Sequence, residues 1–495
     1  VTATRVPQAL SSVLADVSVI DADVIARSGA VSLADVLVQV PGVEMVRNGG
    51  PLGTTSLFLR GANSNHTVVM IDGIRLDTQS GSGGATCQSI PAQQIERIEI
   101  LRGPAAAIYG SDAIAGVIQV FTKNGQSGVQ PSVGLGLGTY GTRTATAGVL
   151  GGVDGWRYAL SLGREASDGY NIQPAANPDN DGYTRETASL KLGRDLVEGH
   201  RLEGSWVYTD ADAGYDSTTS KSNVNYPKDN RTNQELNALG LNWNAKWSDA
   251  WSSRVGVTRA LDRYQTLPEP GAKPSYDTKT TIETALWHNT LRWLDAVWTV
   301  GLEGRRDALT NSGTTPQDTK RSQKAVALGY GQQLQAHSWQ LNARLDDDSE
   351  FGNHATGALA YGYAWSPEWR LSASMGSGFR APTLYQRFSP YGFAGLKPEE
   401  SFNRELGLTY RQGVQTFSVV AYHNRVSNLI AFGAAGPCAS TFGCYANTAK
   451  ARLKGVTLSG ATRWSDALLT ASLDLQAPED AATGKRLARR AQRLL

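Results

Sequence analysis

From about residue 128 onward the chain alternates apolar and polar residues with a period of two, the repeat of a strand whose two faces meet different surroundings. In "LGLNWNAKW", Leu239, Leu241, Trp243, Ala245 and Trp247 share one face, opposite Gly240, Asn242, Asn244 and Lys246. In "WQLNARLD", Trp339, Leu341, Ala343 and Leu345 oppose Gln340, Asn342, Arg344 and Asp346. In "WRYALSLGR", Trp156, Tyr158, Leu160 and Leu162 oppose Arg157, Ala159, Ser161 and Gly163. A soluble sandwich alternates too, so the apolar face decides. Trp and Tyr recur near its strand ends, while the other face carries Arg, Asn, Gln and Asp: lipid outside, water inside. No run of about 18 apolar residues offers a membrane helix; the nearest candidate, Ala105 to Phe121, is broken by Ser111, Asp112 and Gln119. In lipid only helices and closed barrels satisfy the backbone. The expectation is a mainly β chain whose larger part is a transmembrane antiparallel β-barrel of about 17 strands in hairpins.

The first 125 residues read differently, as mixed α/β. "SLADVLVQVPGVEM" begins at Ser32, a helix N-cap, and has helical spacing at Leu33, Val36, Leu37 and Val40 before Pro41-Gly42 stops it. Then come "LFLRGANSNHTVVMIDGIRL" and "IERIEILRGPAAAIYGSDAIAGVIQVFTKNG", short β-type runs separated by tight turns at Arg60-Gly61, Asp72-Gly73 and Arg102-Gly103-Pro104. This block resembles the plug domain of TonB-dependent outer-membrane receptors. Barrel motifs of that family are resembled further on, in "GFRAPTLYQRFSPYG", "LKPEESFNRELGLTY", "AYHNRVSNLI" and "ARLKGVTLSG". The resemblance implies a plug over residues 1–125 inside a barrel over 126–495. Family barrels have about 22 strands, and this chain ends "KRLARRAQRLL" without a terminal aromatic strand. The barrel is therefore expected to be incomplete at its C-terminus.

The resemblance also implies a place and partners. The place is the Gram-negative outer membrane, with lipid around a monomer. The energy coupler is TonB, which pairs with a short N-terminal strand, the Ton box, by β-augmentation. "VTATR" at Val1 looks like the trailing end of that box, with its core upstream. No signal peptide is visible. The net charge of +2 carries no message about nucleic acid, and the basic tail from Lys485 to Arg493 reads as lumen or loop charge. An enzyme is not expected: the six histidines are scattered, no nucleophile motif occurs, and "GLGLGTYG" lacks the helix that a nucleotide-binding loop needs.

Two groups of residues bear on the ligand. "NPDNDGY" holds Asp179 and Asp181, "GYDSTT" holds Tyr215 and Asp216, and "YPKDNRT" holds Asp229. Alternating carboxylates suit calcium, which takes 6–8 oxygen ligands. The EF-hand formula fails, and on the residues alone a polar hairpin tip is the better account. The resemblance reverses that order. The cobalamin receptors of the family bind calcium through aspartates in two consecutive extracellular loops, and these residues match in kind, order and rough spacing. One family aspartate is here Asn171, which offers a neutral oxygen and costs the site a charge. The second group is two small polar loops, Asn48 to Ser56 and Asp77 to Ser89. In the family such plug loops face the outside and touch the ligand. Thr54, Ser56, Asn63 and Ser82 align with cobalamin-contacting positions; plain loop solubility explains each of them equally well.

The expected function is TonB-dependent uptake of cobalamin, bound by plug apices and calcium-ordered loops. A ferric-siderophore receptor is the runner-up within transport. A signalling receptor, which usually carries a further N-terminal domain ahead of the plug, is the alternative of another class. Cys438 and Cys444, in "GPCASTFGC", can close a loop disulfide in an oxidising compartment or stand as free thiols; Cys87 is left over.

Overall fold

The structure is a computed structural model, and it describes residues 1, 5–174, 179–216, 229–434 and 436–495. Near the N-terminus a five-stranded sheet forms in the order β1-β6-β7-β4-β5, with β4 and β7 parallel and the other pairs antiparallel. Its strands are β1 (Asp16–Asp21), β4 (Thr67–Ile71), β5 (Ile74–Arg75), β6 (Ile95–Arg102) and β7 (Gly116–Thr122). A separate hairpin joins β2 (Val43–Arg47) to β3 (Thr55–Leu59). The short helices are α1 (Ala22–Arg27), α2 (Leu33–Leu37) and α3 (Ala106–Tyr109).

Helix α2 begins as its sequence dictates. Ser32 accepts from the Asp35 amide, and Asp35 closes the capping box back to Ser32. Leu33, Val36 and Leu37 face the core, and Val40 is buried beyond the helix end. The three expected turns are also present. Arg60 and Gly61 both have positive φ, 52° and 73°. Asp72 and Gly73 do likewise at 48° and 84°, the pairing that a two-residue hairpin between β4 and β5 needs. Gly103 has φ 96°.

From Gly128 the chain becomes wall. Seventeen long strands follow among the described residues, from Gly128–Leu137 to Ala467–Asp480, each antiparallel to the next. They are 10 to 21 residues long. The outward face carries the apolar set. One row runs in register through Val255, Trp287, Leu302, Val326 and Leu345 on five successive strands. These residues are 37–50% exposed, as side chains facing lipid must be. Aromatic pairs gather at the short-turn end: Trp247 with Trp251 at 5.7 Å, Trp298 with Tyr330 at 4.7 Å, Trp339 with Tyr361 at 4.4 Å and Trp369 with Tyr410 at 5.0 Å. That end is the periplasmic side, where such barrels keep their short turns.

The inward face is not uniformly polar. Val207, Leu236, Ala238, Ala260, Val426, Leu429, Ala451 and Leu453 of the wall join the plug's Leu33, Leu37, Ile71, Ile98 and Ile100 in one continuous buried cluster. The plug fills the lumen, so part of the wall packs against protein instead of water.

At the seam, the two-residue strand Arg493–Leu494 pairs with Asp474–Leu475 and lies in ring order between the last long strand and the first. Among the described residues, no paired register joins it to Gly128–Leu137, where Val133, Leu135 and Leu137 are 82–90% exposed.

Candidate functional site

The long loops of the barrel and both polar loops of the plug meet at the end opposite the short turns. The segment after strand Trp156–Tyr170 is the hub on one side. Its Ile172 amide donates to Asp181 Oδ2 at 2.9 Å, and its Gln173 amide donates to Asp216 Oδ2 at 2.9 Å. Two successive backbone N–H groups thus draw together carboxylates from two neighbouring strands. Burial first, then repulsion from Asp216, Asp179 and Asp229, raises the Asp181 carboxyl above the ordinary aspartate range against the opposing Ile172 hydrogen bond. Asp181 lies at the outer tip of its strand, beyond the membrane-spanning stretch.

The expected calcium ligands are therefore electrostatic neighbours, but they do not form a cage. Among the described residues, no three His, Cys, Asp or Glu side chains stand close enough to hold a metal ion. Backbone amides engage one oxygen each of Asp181 and Asp216, and Asp229 Oδ1 lies 3.7 Å from the Arg231 guanidinium. The donor set is nevertheless of the right kind for a hard cation. The Asp179 Oδ1 atom is buried with no hydrogen-bond donor among the described residues. Tyr215 ends its strand opposite Asn230, next to Asp216. Asn171 opens the segment that holds the two carboxylates.

This segment also touches the plug. A Cβ at Gly49 would meet Ile172 Cδ1 at 3.4 Å, so the first plug apex sits directly under it. Thr54, exposed on that apex, lies against the Tyr264 hydroxyl of the wall. Ser56 is half-buried within β3, opposite Val46. Ser82 is exposed at the second apex, and its carbonyl accepts from Asn65 Nδ2 at 2.9 Å. Asn63 differs from the other three: its Oδ1 accepts from Arg490, whose guanidinium lies 3.9 Å over the Phe58 ring. The basic tail thus places one arginine on the plug.

Below the apices, buried ion pairs tie the plug to the wall. Asp112 takes Arg75 at 2.6 Å, Arg305 at 3.2 Å and Arg380 at 3.7 Å. Burial works against its charged form, but Arg75, Arg305, Arg380 and Arg321 hold the carboxyl below the ordinary range. His66 meets Glu399 at 3.0 Å. Arg60 bridges Asp16 at 2.5 Å and Glu405 at 2.8 Å, and Asp474 accepts from the Gly42 amide at 2.6 Å. Nearest the N-terminus, Arg5 pairs with Glu303 at 2.9 Å. Sequence reading missed these partners, since the pairs that join plug to wall link residues far apart in the chain, as with Arg60 and Glu405. Arginines at period-two positions in the wall were the available signal.

Burial pushes the Cys87 thiol up to about 12, so it stays protonated. What the arrangement can do is hold a ligand at the mouth and keep a lumen shut.

Two family models cover almost all of this architecture. Residues 9–117 match the TonB-dependent Receptor Plug Domain, and residues 125–494 match the TonB dependent receptor-like, beta-barrel. The chain is a TonB-dependent receptor. Its family places the receptor in the Gram-negative outer membrane, with TonB as partner and a small molecule as ligand; it is a family of transporters and receptors. Among curated relatives, the vitamin B12 transporter BtuB of Vibrio cholerae serotype O1 is 30% identical over 509 residues, covering 100% of this chain and 80% of that protein. The vitamin B12 transporter BtuB of Photobacterium profundum is 30% identical over 502 residues, covering 99% and 80%. Among solved structures, the siderophore receptor PirA from Acinetobacter baumannii superposes with a TM-score of 0.82 at 18% identity, over 95% of this chain and 81% of that one. The ferric yersiniabactin uptake receptor FyuA from Yersinia pestis gives 0.76 at 16% identity, over 97% and 82%. These structural likenesses establish the receptor's fold.

Proposed function

We propose that the receptor takes up cobalamin, bound at the plug apices beneath extracellular loops that calcium orders. The observation that carries this reading is the Asn171–Gln173 segment. It gathers Asp181 and Asp216 through its amides while Ile172 rests on the plug apex. Bound there, a cation would offset the mutual repulsion of these carboxylates, and the loop would then roof the ligand site. Asp179, Asp181, Asp216 and Asp229 would hold it once the loops draw closer, with Tyr215 and Asn171 alongside. Thr54 and Ser82, exposed on the two apices, offer a large neutral ligand small hydrogen-bonding groups, with Ser56 and Asn63 set deeper beside them. The 30% relatives bearing the vitamin B12 transporter name run the whole length of this chain, which supports the same ligand.

Transport then needs no covalent step. Ligand on the apices biases the plug, and TonB pulls from the periplasm on the N-terminal segment that Arg5 ties to Glu303. Force applied there opens the ion pairs between plug and wall.

The deciding experiment is calorimetric titration of the full chain in detergent with cyanocobalamin and with a ferric siderophore, with and without calcium. The expected result is tight cobalamin binding that depends on calcium. Tight binding of the siderophore and none of cobalamin sinks the reading.

A further inference from the structure

Three neighbouring strands carry a band of positive charge on the outer face of the wall. On Glu399–Gln412, Ser401 and Asn403 are buried toward the plug, so Phe402 and Arg404 face outward. On Gln415–Gly433, Tyr422, Asn424 and Val426 are buried, so His423 and Arg425 face outward. On Cys444–Trp464, Ala451 and Leu453 are buried, so Lys450, Arg452 and Lys454 share the outer face. The register sets these residues in rows. Arg404 stands opposite His423, and His423 opposite Lys454. Phe402 stands opposite Arg425, and Arg425 opposite Arg452. The row beneath is apolar: Leu406, Ala421, Val456 and Leu475 follow one another across four strands.

The band sits near the outer end of its strands. Gln412 pairs with Gln415 across a two-residue turn, so this hairpin closes at the periplasmic end. Arg425 is ten residues beyond Gln415. At about 3.4 Å per residue and a tilt of about 40°, that is a height of roughly 25 Å, the full apolar band of such a barrel. The cations therefore stand where hydrocarbon gives way to lipid headgroups. Their charge is poorly balanced. Two carboxylates flank them: Glu479, which Arg452 holds at 3.0 Å, and Glu400, beyond Phe402. Arg404, Arg425, Lys450 and Lys454 make no ion pair among the described residues. Arg452 Nε and His423 Nε2 are buried atoms with no hydrogen-bond partner among those residues. Elsewhere on the outer wall the signs alternate. Arg164 meets Glu186 at 3.5 Å, and Glu283 lies between Arg259 at 3.7 Å and Arg306 at 3.8 Å.

We propose that Arg404, His423, Arg425, Arg452 and Lys454 bind the phosphate groups of an outer-leaflet lipid whose chains run down the apolar row beneath. The proposal holds whichever ligand the receptor transports. Like charges directly opposite each other on paired strands destabilise a sheet, and Arg425 faces Arg452 in that way. An anion between them removes the repulsion. Two guanidiniums side by side present planar forks that match phosphate oxygens, and Lys454 adds a point charge one pleat below. The direction of the band selects the source of that anion. These side chains point away from the lumen, from a wall whose next row faces hydrocarbon, so the phosphate that meets them is anchored in the membrane. Leu406, Ala421, Val456 and Leu475 then seat the acyl chains of the same molecule.

The test uses the full chain in detergent and three probes: lipid A with both phosphates, the same lipid with its phosphates removed, and inorganic phosphate. Native mass spectrometry across a lipid titration gives the affinity, and thermal melts give the stabilisation. The test variant is Arg425→Gln/Arg452→Gln/Lys454→Gln. The control, Arg259→Gln/Arg306→Gln, removes outward cations from the mixed-sign face. The unaltered chain and the control should retain phosphorylated lipid A and melt higher with it. The test variant should bind it about a hundred-fold more weakly, at about five-fold for each cation near an anionic lipid surface. Without lipid that variant should melt no lower than the unaltered chain, because it has lost a like-charge repulsion. Arg425→Lys/Arg452→Lys, which keeps the charge and loses the forks, should fall between the two. Equal retention of the dephosphorylated lipid overturns the proposal, as does equal affinity in the test variant. Inorganic phosphate that stabilises the chain as well as lipid A does would make the band a site for soluble anions and overturn it. A dimer that forms through these cations and excludes lipid A would give the face to a second copy and overturn it too.

Discussion

Asp112 is the residue on which the plug's grip turns. Three guanidiniums converge on one carboxylate, two of them from the wall. Removing its charge leaves Arg75, Arg305 and Arg380 each with one remaining carboxylate, Asp77, Asp307 and Glu399, so the loss should stay below the roughly 3–5 kcal/mol of a buried charge left wholly unpaired. Asp112→Asn should therefore lower the denaturant midpoint of the plug; an unchanged midpoint would show that the pairs contribute nothing net. The sign with pH follows from its depressed pKa. The stabilisation is present at neutral pH and is lost as pH falls through the folded value. Asp181 behaves oppositely. Its raised pKa means that the folded loops hold a proton more tightly than the unfolded chain does, so this contribution exists at acid pH and fades as the carboxyl ionises. Protons and calcium then compete for one cluster. Calcium affinity measured from neutral pH down to about pH 5 should begin to fall above the ordinary aspartate range; a flat profile would remove Asp181 from the cation site.

Strands make the next scale legible. On Ala296–Asn311, Leu302 faces outward between Trp287 and Val326, while Arg305 and Asp307 face the plug. Leu302→Arg puts a charge into the apolar belt and should cost about 2–4 kcal/mol of folding into bilayers if the row lies at mid-depth. The matched exposed change Lys320→Arg, near the outer end of the next strand, should cost almost nothing. Equal costs for the two would mean that the row is not facing lipid. Period two announced these faces in advance. It did not reveal that wall residues such as Val207 and Leu236 would join the plug's core, because alternation reports a change of surroundings and not which protein lies inside.

Across the whole molecule, the mouth joins two sides of the plug. One apex lies beneath the carboxylate loops, the other between Tyr385 and Tyr445. If calcium orders the first side and ligand spans both, the two must be coupled, and linkage makes the coupling reciprocal. Calcium should tighten cobalamin by the same factor by which cobalamin tightens calcium. Calorimetric cycles measure this common factor from either side, and a factor of one would exclude coupling between the two sides of the mouth. Asp181→Ala with Asp229→Ala should abolish the coupling while leaving barrel stability unchanged, since both lie outside the lipid-facing scaffold.

Sequence alone determined the class of this protein. Period-two alternation with aromatic strand ends left a membrane barrel as the fold that satisfies the backbone in lipid. The turn residues Arg60-Gly61 and Asp72-Gly73 and the Ser32 cap are local chemistry, so they too were readable. Tertiary structure alone decided what meets at the mouth. Cys438 could pair or stay free by sequence; the fold placed it against Cys444. Asp181 and Asp216 were matched by pattern, but two amides of one loop segment bring them together. Tyr385 and Tyr445 stand 60 positions apart and carry no motif that joins them. Pairing of Glu399–Gln412 with Gln415–Gly433, and of that strand with Cys444–Trp464, sets the two side by side, and that pairing is a tertiary fact that no local residue pattern encodes.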